Sequence, residues 1–164
     1  MLENLKEKVC KANIELFQRG IVIFTWGNIS EIDEATKLVV IKPSGVPYKT
    51  MRPEDMVVLD LEGSVIEGHY RPSSDAPTHL EIYRNFPSIK SVGHTHSTYA
   101  TAFAQAGSEI IPFGTTHADF SYGGIPVTRE LTQAEVDTDY ELNTGKVIVE
   151  TLMKYQSHES PPPP

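Results

Sequence analysis

The chain has 164 residues, of which 39% are hydrophobic and 22% are charged. This length and composition indicate a globular protein with one core and argue against a disordered chain. The formal net charge of −8 argues against a nucleic-acid partner, because nucleic-acid-binding surfaces carry clusters of basic residues. Cys10 is the only cysteine, so an intrachain disulfide and a cysteine-built zinc site are excluded as well.

The first residues carry charges throughout and lack the apolar core of a signal peptide. No apolar run reaches the roughly 18 residues that a bilayer span requires. We therefore expect a cytoplasmic protein that does not bind membranes. Apolar residues recur at three- and four-residue steps near the start, which predicts an amphipathic helix over residues 2–18 that ends at Gly20.

Three short apolar runs follow and predict β-strands. They lie at residues 21–25, 37–41 and 56–61, and Gly, Pro or Asp residues bound them. Glu62 and Gly63 then turn the chain into the sequence SVIEG, which predicts a hairpin. We therefore expect the strands in this part of the chain to pair with antiparallel neighbours.

The second half alternates predicted helices with one predicted strand. Asp75 begins a helix in which Pro77 occupies an early position and Leu80 belongs to the inner face. We expect one α/β domain over residues 1–155, with a central, mainly antiparallel sheet flanked by helices, and a polar, Pro-rich tail over residues 156–164. The remaining predicted elements are a strand in IKSVGHTHS, a helix over 98–106 that stops at Gly107, a capping box at 132–135 and a helix over 145–155.

The motif HTHS places two imidazoles two residues apart. If these residues form a strand, His94 and His96 point to one face and could ligate the same metal ion. An isolated His-x-His is also compatible with two half-buried histidines that make ordinary hydrogen bonds. Asp75 could add a carboxylate ligand, since oxygen and imidazole donors together suit zinc or manganese. Because an aspartate at a helix start also serves as a cap, the residues alone leave both interpretations open.

Three polar loops have donors suited to a phosphate group, namely TWGNIS, KPSG and RPSS. Hydroxyls, an amide, backbone N–H groups and one lysine are the donors that an anionic phosphoryl group needs. Each loop alone could equally be a turn, and none matches a Walker or dinucleotide fingerprint. The segment GTTHADFSYGG is predicted to be a loop rich in Thr, His and Tyr, and its Asp119 could transfer protons or satisfy nearby backbone groups.

Taken together in chain order, these segments resemble the L-ribulose-5-phosphate 4-epimerases of the class II aldolase/adducin family. The order GN, KPSG, PSSD-x-x-TH and HTHS is specific to that family, and the resemblance runs to about Thr151. Aldolases of the family share HTHS but tend to carry a glutamate where this sequence has Asp75. The resembling stretches are TWGNIS, VIKPSGVPY, DMVVLD, EGHYRPSSDAPTHLEIYRNFPSI, VGHTHSTYAT, GTTHADF and YELNTGKVIVET.

The resemblance implies a class II aldolase-like fold and specific roles for individual residues. Asp75, His94 and His96 would be ligands of a divalent metal ion, usually Zn²⁺, with Mn²⁺ as another candidate. The substrate would be a phosphorylated ketopentose. Its phosphate would be bound by Asn28, Lys42, Ser44, Ser73 and Ser74, while Gly27 and Gly45 would allow close approach of the backbone.

The implied reaction is a retro-aldol step followed by an aldol step, which inverts C4 of L-ribulose 5-phosphate and gives D-xylulose 5-phosphate. Asp119 would be a proton donor or acceptor at the C4 oxygen. Thr115 and Glu141 would support the site across a subunit boundary, because the family packs as a homotetramer with sites between neighbours. The stretches YRPSSD, THLEIYR and YELNTGKVI resemble family members of ascorbate breakdown more than those of arabinose breakdown.

Family members continue beyond this point with a further His in an HGPF-like motif and a late Tyr that is the second acid–base group. Neither motif is present in this chain. We therefore expect weaker metal binding and slower proton transfer than in the family, and apolar surface that another chain would cover. Two alternatives stay open: an aldolase that releases an aldehyde from a related sugar phosphate, and a non-catalytic, adducin-like oligomerisation module.

Overall fold

The computed structural model describes residues 2–121 and 123–158, with backbone only for residues 120 and 156–158. Most of the predicted tail, residues 159–164, lies outside the described residues. A short 3₁₀ turn (Pro53–Asp55) precedes the third strand. The helices are α1 (Glu3–Gln18), α2 (Ala76–Asn85), α3 (Thr98–Gln105), α4 (Thr115–Phe120), α5 (Gln133–Asp137) and α6 (Tyr140–His158), and the strands are β1 (Asn28–Ile32), β2 (Val39–Ile41), β3 (Val57–Leu59), β4 (Val65–Glu67) and β5 (Ser91–His94).

The five strands form one sheet in the order β4-β3-β2-β1-β5. Every neighbouring pair is antiparallel. The β3–β4 hairpin turns at Gly63, which has a φ of 92° and donates its N–H to the carbonyl of Asp60. This arrangement confirms the predicted α/β class with an antiparallel sheet and the predicted hairpin.

The core lies on both faces of this sheet, because side chains alternate along each strand. On β2, Val40 packs into a cluster with Val9 of α1. Val39 and Ile41 point the other way and pack with Leu80 of α2. The sheet is therefore covered by α1 on one face and by α2 on the other, and the start of α2 lies over the ends of β1 and β5.

Helix α6 packs against α2 and forms an outer layer on that side. Phe86 and Val149 are buried together where the two helices meet. The close approach depends on Gly145, where a Cβ atom would lie 2.8 Å from Glu81 Cβ and 3.0 Å from the Cα atom of Thr78. Helix α6 begins at Tyr140, so the predicted start at residue 145 was too late, and it continues through residue 158.

The segment between β5 and α6 buries fewer side chains than the sheet and the helices α1, α2 and α6. Helices α3 and α5 bury no side chain, and Tyr99 and Phe113 are 82% and 75% exposed. The predicted capping box at the start of α5 is confirmed by hydrogen bonds between Thr132 and Glu135. Within the described residues, no helix combines the length and the apolar character needed to cross a membrane.

Two predictions of local structure were wrong between α1 and β1. Residues 21–25 do not form a strand, and the segment turns where Phe24 has a φ of 52° and the N–H of Trp26 bonds to the carbonyl of Ile23. The strand instead begins at Asn28, inside the segment that was expected to be a loop. The apolar run misled because Ile23 and Phe24 are exposed rather than packed in the sheet.

Candidate functional site

The site is built where the end of β5 lies beside the start of β1. Asn28 and His94 are directly paired across these two strands, so their side chains share a face. The start of α2 brings Asp75 to the same place. Asn28 Nδ2 donates hydrogen bonds to Asp75 Oδ2 at 2.5 Å and to Ser73 Oγ at 3.0 Å, and Asp75 Oδ2 lies 3.6 Å from His94 Nδ1.

The carboxylate of Asp75 does not cap its helix. Asp75 has helical dihedral angles at the N-cap position of α2, and its side chain accepts no capping hydrogen bond. It accepts hydrogen bonds from Asn28 and Ser73 instead. The capping interpretation left open by the sequence is therefore excluded, and the carboxylate faces the imidazole of His94.

His94 and His96 are neighbours, but not for the reason that the sequence suggested. Strand β5 ends at His94, so His96 lies in the connection to α3 and is exposed. The shared-face argument for a continuous strand was wrong at this position. The two rings are nevertheless 4.8 Å apart between centroids, with planes inclined by 33°.

The predicted ligands Asp75, His94 and His96 supply one carboxylate and two imidazoles, and this donor set suits zinc or manganese. In the part of the chain that the structure describes, no group of three or more His, Cys, Asp or Glu side chains is placed so that it could hold a metal ion. The donors therefore match the metal by chemistry and proximity, while their side chains do not converge on one point.

The two serine loops are joined by backbone pairing. Pro43 and Pro72 form an isolated antiparallel bridge. Around it, the N–H of Ser44 bonds to the carbonyl of Arg71 at 2.9 Å, and the N–H of Ser73 bonds to the carbonyl of Lys42 at 2.9 Å. The sequences KPSG and RPSS are therefore one paired structure rather than two independent turns.

These loops, the start of β1 and two of the predicted ligands, Asp75 and His96, border one cavity of about 420 Å³. This volume lies in the range of small-molecule sites. A larger groove of about 740 Å³ lies between α1 and the 3₁₀ turn, but none of the predicted site residues lines it. The smaller cavity is lined by Thr25, Trp26, Gly27, Asn28, Lys42, Ser44, Gly45, Ser73, Ser74, Asp75 and His96.

The buried lysine of this cavity provides its positive charge. Lys42 is only 2% exposed, and its Nζ donates to the carbonyl of Pro43 at 3.1 Å and lies 4.9 Å from the centre of the Tyr48 ring. Burial lowers the pKa of Lys42 from its ordinary value, and the nearby carboxylate of Asp75 opposes that shift. An anion in the cavity would offset the cost of burying this ammonium group.

Asn28 has one free acceptor in this arrangement. Its two amide hydrogens are used by Ser73 Oγ and Asp75 Oδ2, while its Oδ1 is buried without a hydrogen-bond partner. A buried, unpaired carbonyl costs free energy that a donor in the cavity would recover. The Oδ1 atom of Asn28 is therefore an acceptor that suits a substrate hydroxyl group. A phosphate oxygen needs a donor, so Asn28 could bind it through Nδ2 only after releasing Ser73 or Asp75.

Gly27 is required by two independent features of the backbone. Its φ is +93°, in the region that glycine tolerates and other residues rarely adopt. A Cβ atom there would also lie 2.5 Å from Val22 Cγ1 and 2.9 Å from the carbonyl oxygen of His94. The backbone before Asn28 can therefore pass against the end of β5 only because residue 27 is a glycine.

The sequence interpretation missed three residues around the site. His79 is buried one turn after Asp75, and its Nδ1 lies 2.7 Å from Ser30 Oγ, which is in turn 2.8 Å from Tyr83 Oη. The Nε2 atom of His79 is buried without a partner. Tyr48 and Trp26 were also missed. The spacing of His79 four residues after Asp75 was the available signal, since such residues share a helix face.

Four predicted residues do not line this cavity, namely His94 and three residues farther along the chain. Asp119 and Thr115 are exposed on α4, a short helix in a segment that was expected to be a loop. Glu141 lies in the first turn of α6, where its carbonyl accepts a 2.5 Å hydrogen bond from Thr78 Oγ1. The fold of a single chain thus brings together the predicted ligands and phosphate-binding residues, but not the predicted proton-transfer residue.

The model of the class II aldolase and adducin N-terminal domain matches residues 7–159. The chain belongs to this family. Among solved structures, it is similar to an L-fuculose 1-phosphate aldolase, with 26% identity, a TM-score of 0.73 and coverage of 87% of this chain and 68% of that one. For the L-fuculose-1-phosphate aldolase of Thermus thermophilus the values are 26%, 0.66, 90% and 71%.

YgbL of Klebsiella pneumoniae is similar as well, with 28% identity and a TM-score of 0.58 over 63% of this chain and 50% of YgbL. The chain therefore spans only part of the length of each of these three proteins. The family match and the fold agree with the resemblance read from the sequence at the level of the family. They do not distinguish the epimerases from the aldolases within it.

Proposed function

We propose that this chain carries the substrate site of a metal-dependent epimerase that inverts C4 of L-ribulose 5-phosphate and gives D-xylulose 5-phosphate. The observation that supports it most is the lining of one cavity by two serine loops and by the candidate metal ligands Asp75 and His96. A phosphorylated ketose needs both groups at once, because its phosphate and its carbonyl lie at opposite ends of one small molecule.

The paired serine loops are suited to the phosphate. Ser44, Ser73 and Ser74 offer hydroxyl donors at the cavity wall, and Lys42 adds a buried positive charge. Hydrogen bonds to a charged acceptor are stronger than neutral ones, so these donors would contribute most to binding. Their function would be to retain the phosphorylated two-carbon fragment while the bond between C3 and C4 is broken.

Asp75, His94 and His96 would hold the divalent ion, with Zn²⁺ or Mn²⁺ as candidates. When bound, such an ion supplies Lewis-acid polarisation of the ketose oxygens. Asn28 holds Asp75 in place through its 2.5 Å hydrogen bond, and its free Oδ1 can accept a hydrogen bond from a substrate hydroxyl. The ligand side chains have to turn toward one another, while their backbones are already adjacent.

The proposed reaction is an isomerisation, so no atom is gained or lost. The C4 hydroxyl gives up its proton as the C3–C4 bond breaks, and the proton returns after the aldehyde carbon has presented its other face. Asp119 is the proposed proton carrier. Its exposed position on α4 supports an arrangement in which it serves a neighbouring subunit, and Thr115 and Glu141 would support the same boundary in a homo-oligomer. A cytoplasmic location stays a prediction from the sequence.

A class II aldolase acting on a related sugar phosphate is the second candidate. It is favoured by the similarity to two L-fuculose-1-phosphate aldolases at 26% identity. The presence of aspartate rather than glutamate at residue 75 argues for the epimerase, because the resemblance associates aspartate with epimerases and glutamate with aldolases. The two reactions share the bond cleavage and differ in whether the aldehyde is released.

The experiment that tests the proposal incubates the full chain with L-ribulose 5-phosphate and Zn²⁺ or Mn²⁺ and follows the products by NMR. We expect D-xylulose 5-phosphate to appear, and we expect the conversion to be lost in Asp75→Asn and strongly reduced in Ser73→Ala. Ser64→Ala is the matched control, because Ser64 is exposed in the β3–β4 hairpin.

Accumulation of free glycolaldehyde phosphate and dihydroxyacetone would contradict the epimerase and support the aldolase. If the chain neither converts nor binds L-ribulose 5-phosphate, the proposed function is wrong, and the adducin-like oligomerisation module becomes the better interpretation. Binding is measured separately by calorimetry, so that a slow reaction is not confused with a missing site.

A further inference from the structure

The aromatic residue at the cavity has no explanation in the fold. Trp26 is 53% exposed, although a tryptophan buries a large apolar area when it packs in a core. The ten other residues that line the cavity are polar, charged or glycine. Small-molecule sites combine aromatic surface with a few polar groups, so the indole supplies what this cavity otherwise lacks.

The backbone of Trp26 is held rigidly. The buried hydroxyl of Tyr48 donates toward the carbonyl oxygens of Gly27 at 2.5 Å and Trp26 at 3.1 Å. The N–H of Trp26 bonds to the carbonyl of Ile23 at 3.0 Å, and Gly27 leaves no room for a side chain on the other side. The indole is therefore presented at the cavity by a fixed backbone rather than by a freely moving loop.

Two rings flank the indole. The centroid of the His96 ring lies 5.9 Å from the centroid of the indole, with an interplanar angle of 45°. The centroid of the Phe24 ring lies 5.1 Å from it, with an interplanar angle of 59°. Phe24 is 72% exposed and has a φ of 52°, a conformation that costs a bulky residue free energy. Strained residues of this kind cluster at ligand sites, and here the strained residue places an aromatic ring beside Trp26.

We propose that the indole of Trp26 forms the apolar wall of this cavity and contacts the carbon chain of a bound sugar phosphate beside His96. The inference rests on the function proposed above, and it adds a substrate contact that recognises the sugar rather than the phosphate. The C–H groups of a sugar pack on an aromatic face, whereas inorganic phosphate has no such groups. The contact with Trp26 should therefore increase the affinity for the sugar phosphate and leave the affinity for inorganic phosphate unchanged.

The chain offers a direct probe, because Trp26 is its single tryptophan. The full chain is titrated with L-ribulose 5-phosphate and with inorganic phosphate in the presence of EDTA, while tryptophan emission is recorded. We expect a saturable change in emission with the sugar phosphate and a much smaller change with inorganic phosphate. The readout does not depend on a bound metal ion or on turnover.

The variants Trp26→Ala and Trp26→Phe are compared with the wild-type chain by calorimetry. An aromatic contact contributes about 0.5–1.5 kcal/mol, so we expect Trp26→Ala to weaken sugar-phosphate binding up to about tenfold. Inorganic phosphate should bind with unchanged affinity, and Trp26→Phe should retain most of the sugar-phosphate affinity. Tyr140→Ala is the matched control, because Tyr140 is half exposed on α6 and does not line the cavity.

The outcomes separate this inference from the proposed function. If L-ribulose 5-phosphate binds but leaves the emission unchanged, or if Trp26→Ala weakens both ligands equally, the inference is wrong while the proposed function stands. If the wild-type chain binds no sugar phosphate in the calorimeter, both are wrong. If the emission changes on dilution of the protein and not with ligand, the indole belongs to a contact between chains, and the inference is wrong.

Discussion

Two regions of the molecule differ sharply in how their side chains are fixed. Between β1 and β5, the residues of the candidate site are held by the sheet and by α2, and Asn28, Lys42 and His79 are buried. Between β5 and α6, helices α3 and α5 bury nothing, and large apolar side chains such as Tyr99 and Phe113 are exposed.

This difference shows which part of the site one chain can build alone. Core packing orients the serine loops, Asp75 and His94, because each is attached to the sheet or to α2. Asp119 belongs to the second region, where large apolar side chains are exposed, and exposed apolar surface is typical of interaction sites. Substitutions in the first region should therefore change the free energy of unfolding, and substitutions in the second region should change self-association.

The largest effect is expected at Gly27. Gly27→Ala introduces left-handed strain of about 1–2 kcal/mol and a clash with Val22 and the His94 carbonyl that costs about 1–3 kcal/mol. We expect the free energy of unfolding in urea to fall by about 2–5 kcal/mol. Gly20→Ala is the control, because Gly20 has a φ of +68° with nothing near its Cβ position. Equal losses in both variants would show that the approach to His94 is not tight.

The next effect concerns acid stability. Burial lowers the pKa of His79 from 6.5 to about 4, with His94 adding to the shift and Asp75 opposing it. Above pH 6.5 His79 is neutral in both states, so its contribution is complete there. Between pH 6.5 and 4 only the unfolded chain takes up the proton, so the free energy of unfolding falls by about 3 kcal/mol over this range.

Urea unfolding between pH 4 and pH 8 measures this loss. His79→Gln removes the titrating group and keeps a polar side chain near Ser30, so its stability should fall less steeply below pH 6.5 than that of the wild type. The carboxylates titrate in both proteins, so their contributions cancel in the difference. Parallel profiles would contradict the burial of a neutral His79 behind the candidate ligands.

A smaller effect is expected at the boundary of the two regions. Gly145→Ala gains about 1 kcal/mol of helix propensity in α6 but forces its Cβ against Thr78 and Glu81 of α2, which costs about 1–3 kcal/mol. We expect a net loss of about 1 kcal/mol in the free energy of unfolding. A stabilised variant would mean that α6 can move away from α2 without loss.

The smallest effect on stability is expected in the exposed segment. Tyr99→Ser and Phe113→Ser remove side chains that pack little within the chain, so the free energy of unfolding of the monomer should change by at most about 0.5 kcal/mol. Light scattering should instead show weaker self-association of these variants. A large loss of stability with unchanged assembly would contradict the division into two regions.

The sequence predicted the elements whose local signals and packing agree. The β3–β4 hairpin has its turn glycine at residue 63, and α2 starts at Ala76, directly after Asp75, with Pro77 in its first turn. Strand β1 was missed because polar Asn28 and Ser30 are its buried residues, and tertiary hydrogen bonds satisfy them. No local pattern carries that information.

The same reason limits what the sequence could say about the site. The candidate ligands and phosphate-binding residues could be named because the resemblance ties them to short motifs, and their roles stay predictions. The partners of these residues, such as Ser30 for His79 and Tyr48 for the backbone at Trp26, are far away in the sequence. Their roles appear only when the sheet brings the segments together.

The zinc content of the dialysed full chain decides whether Asp75, His94 and His96 form a metal site. We expect near-stoichiometric zinc in the wild type, loss of zinc in His94→Ala, and retention in His69→Ala, since His69 is exposed and does not line the cavity. Equal zinc in the wild type and His94→Ala, or none in the wild type, would contradict a metal site at Asp75, His94 and His96.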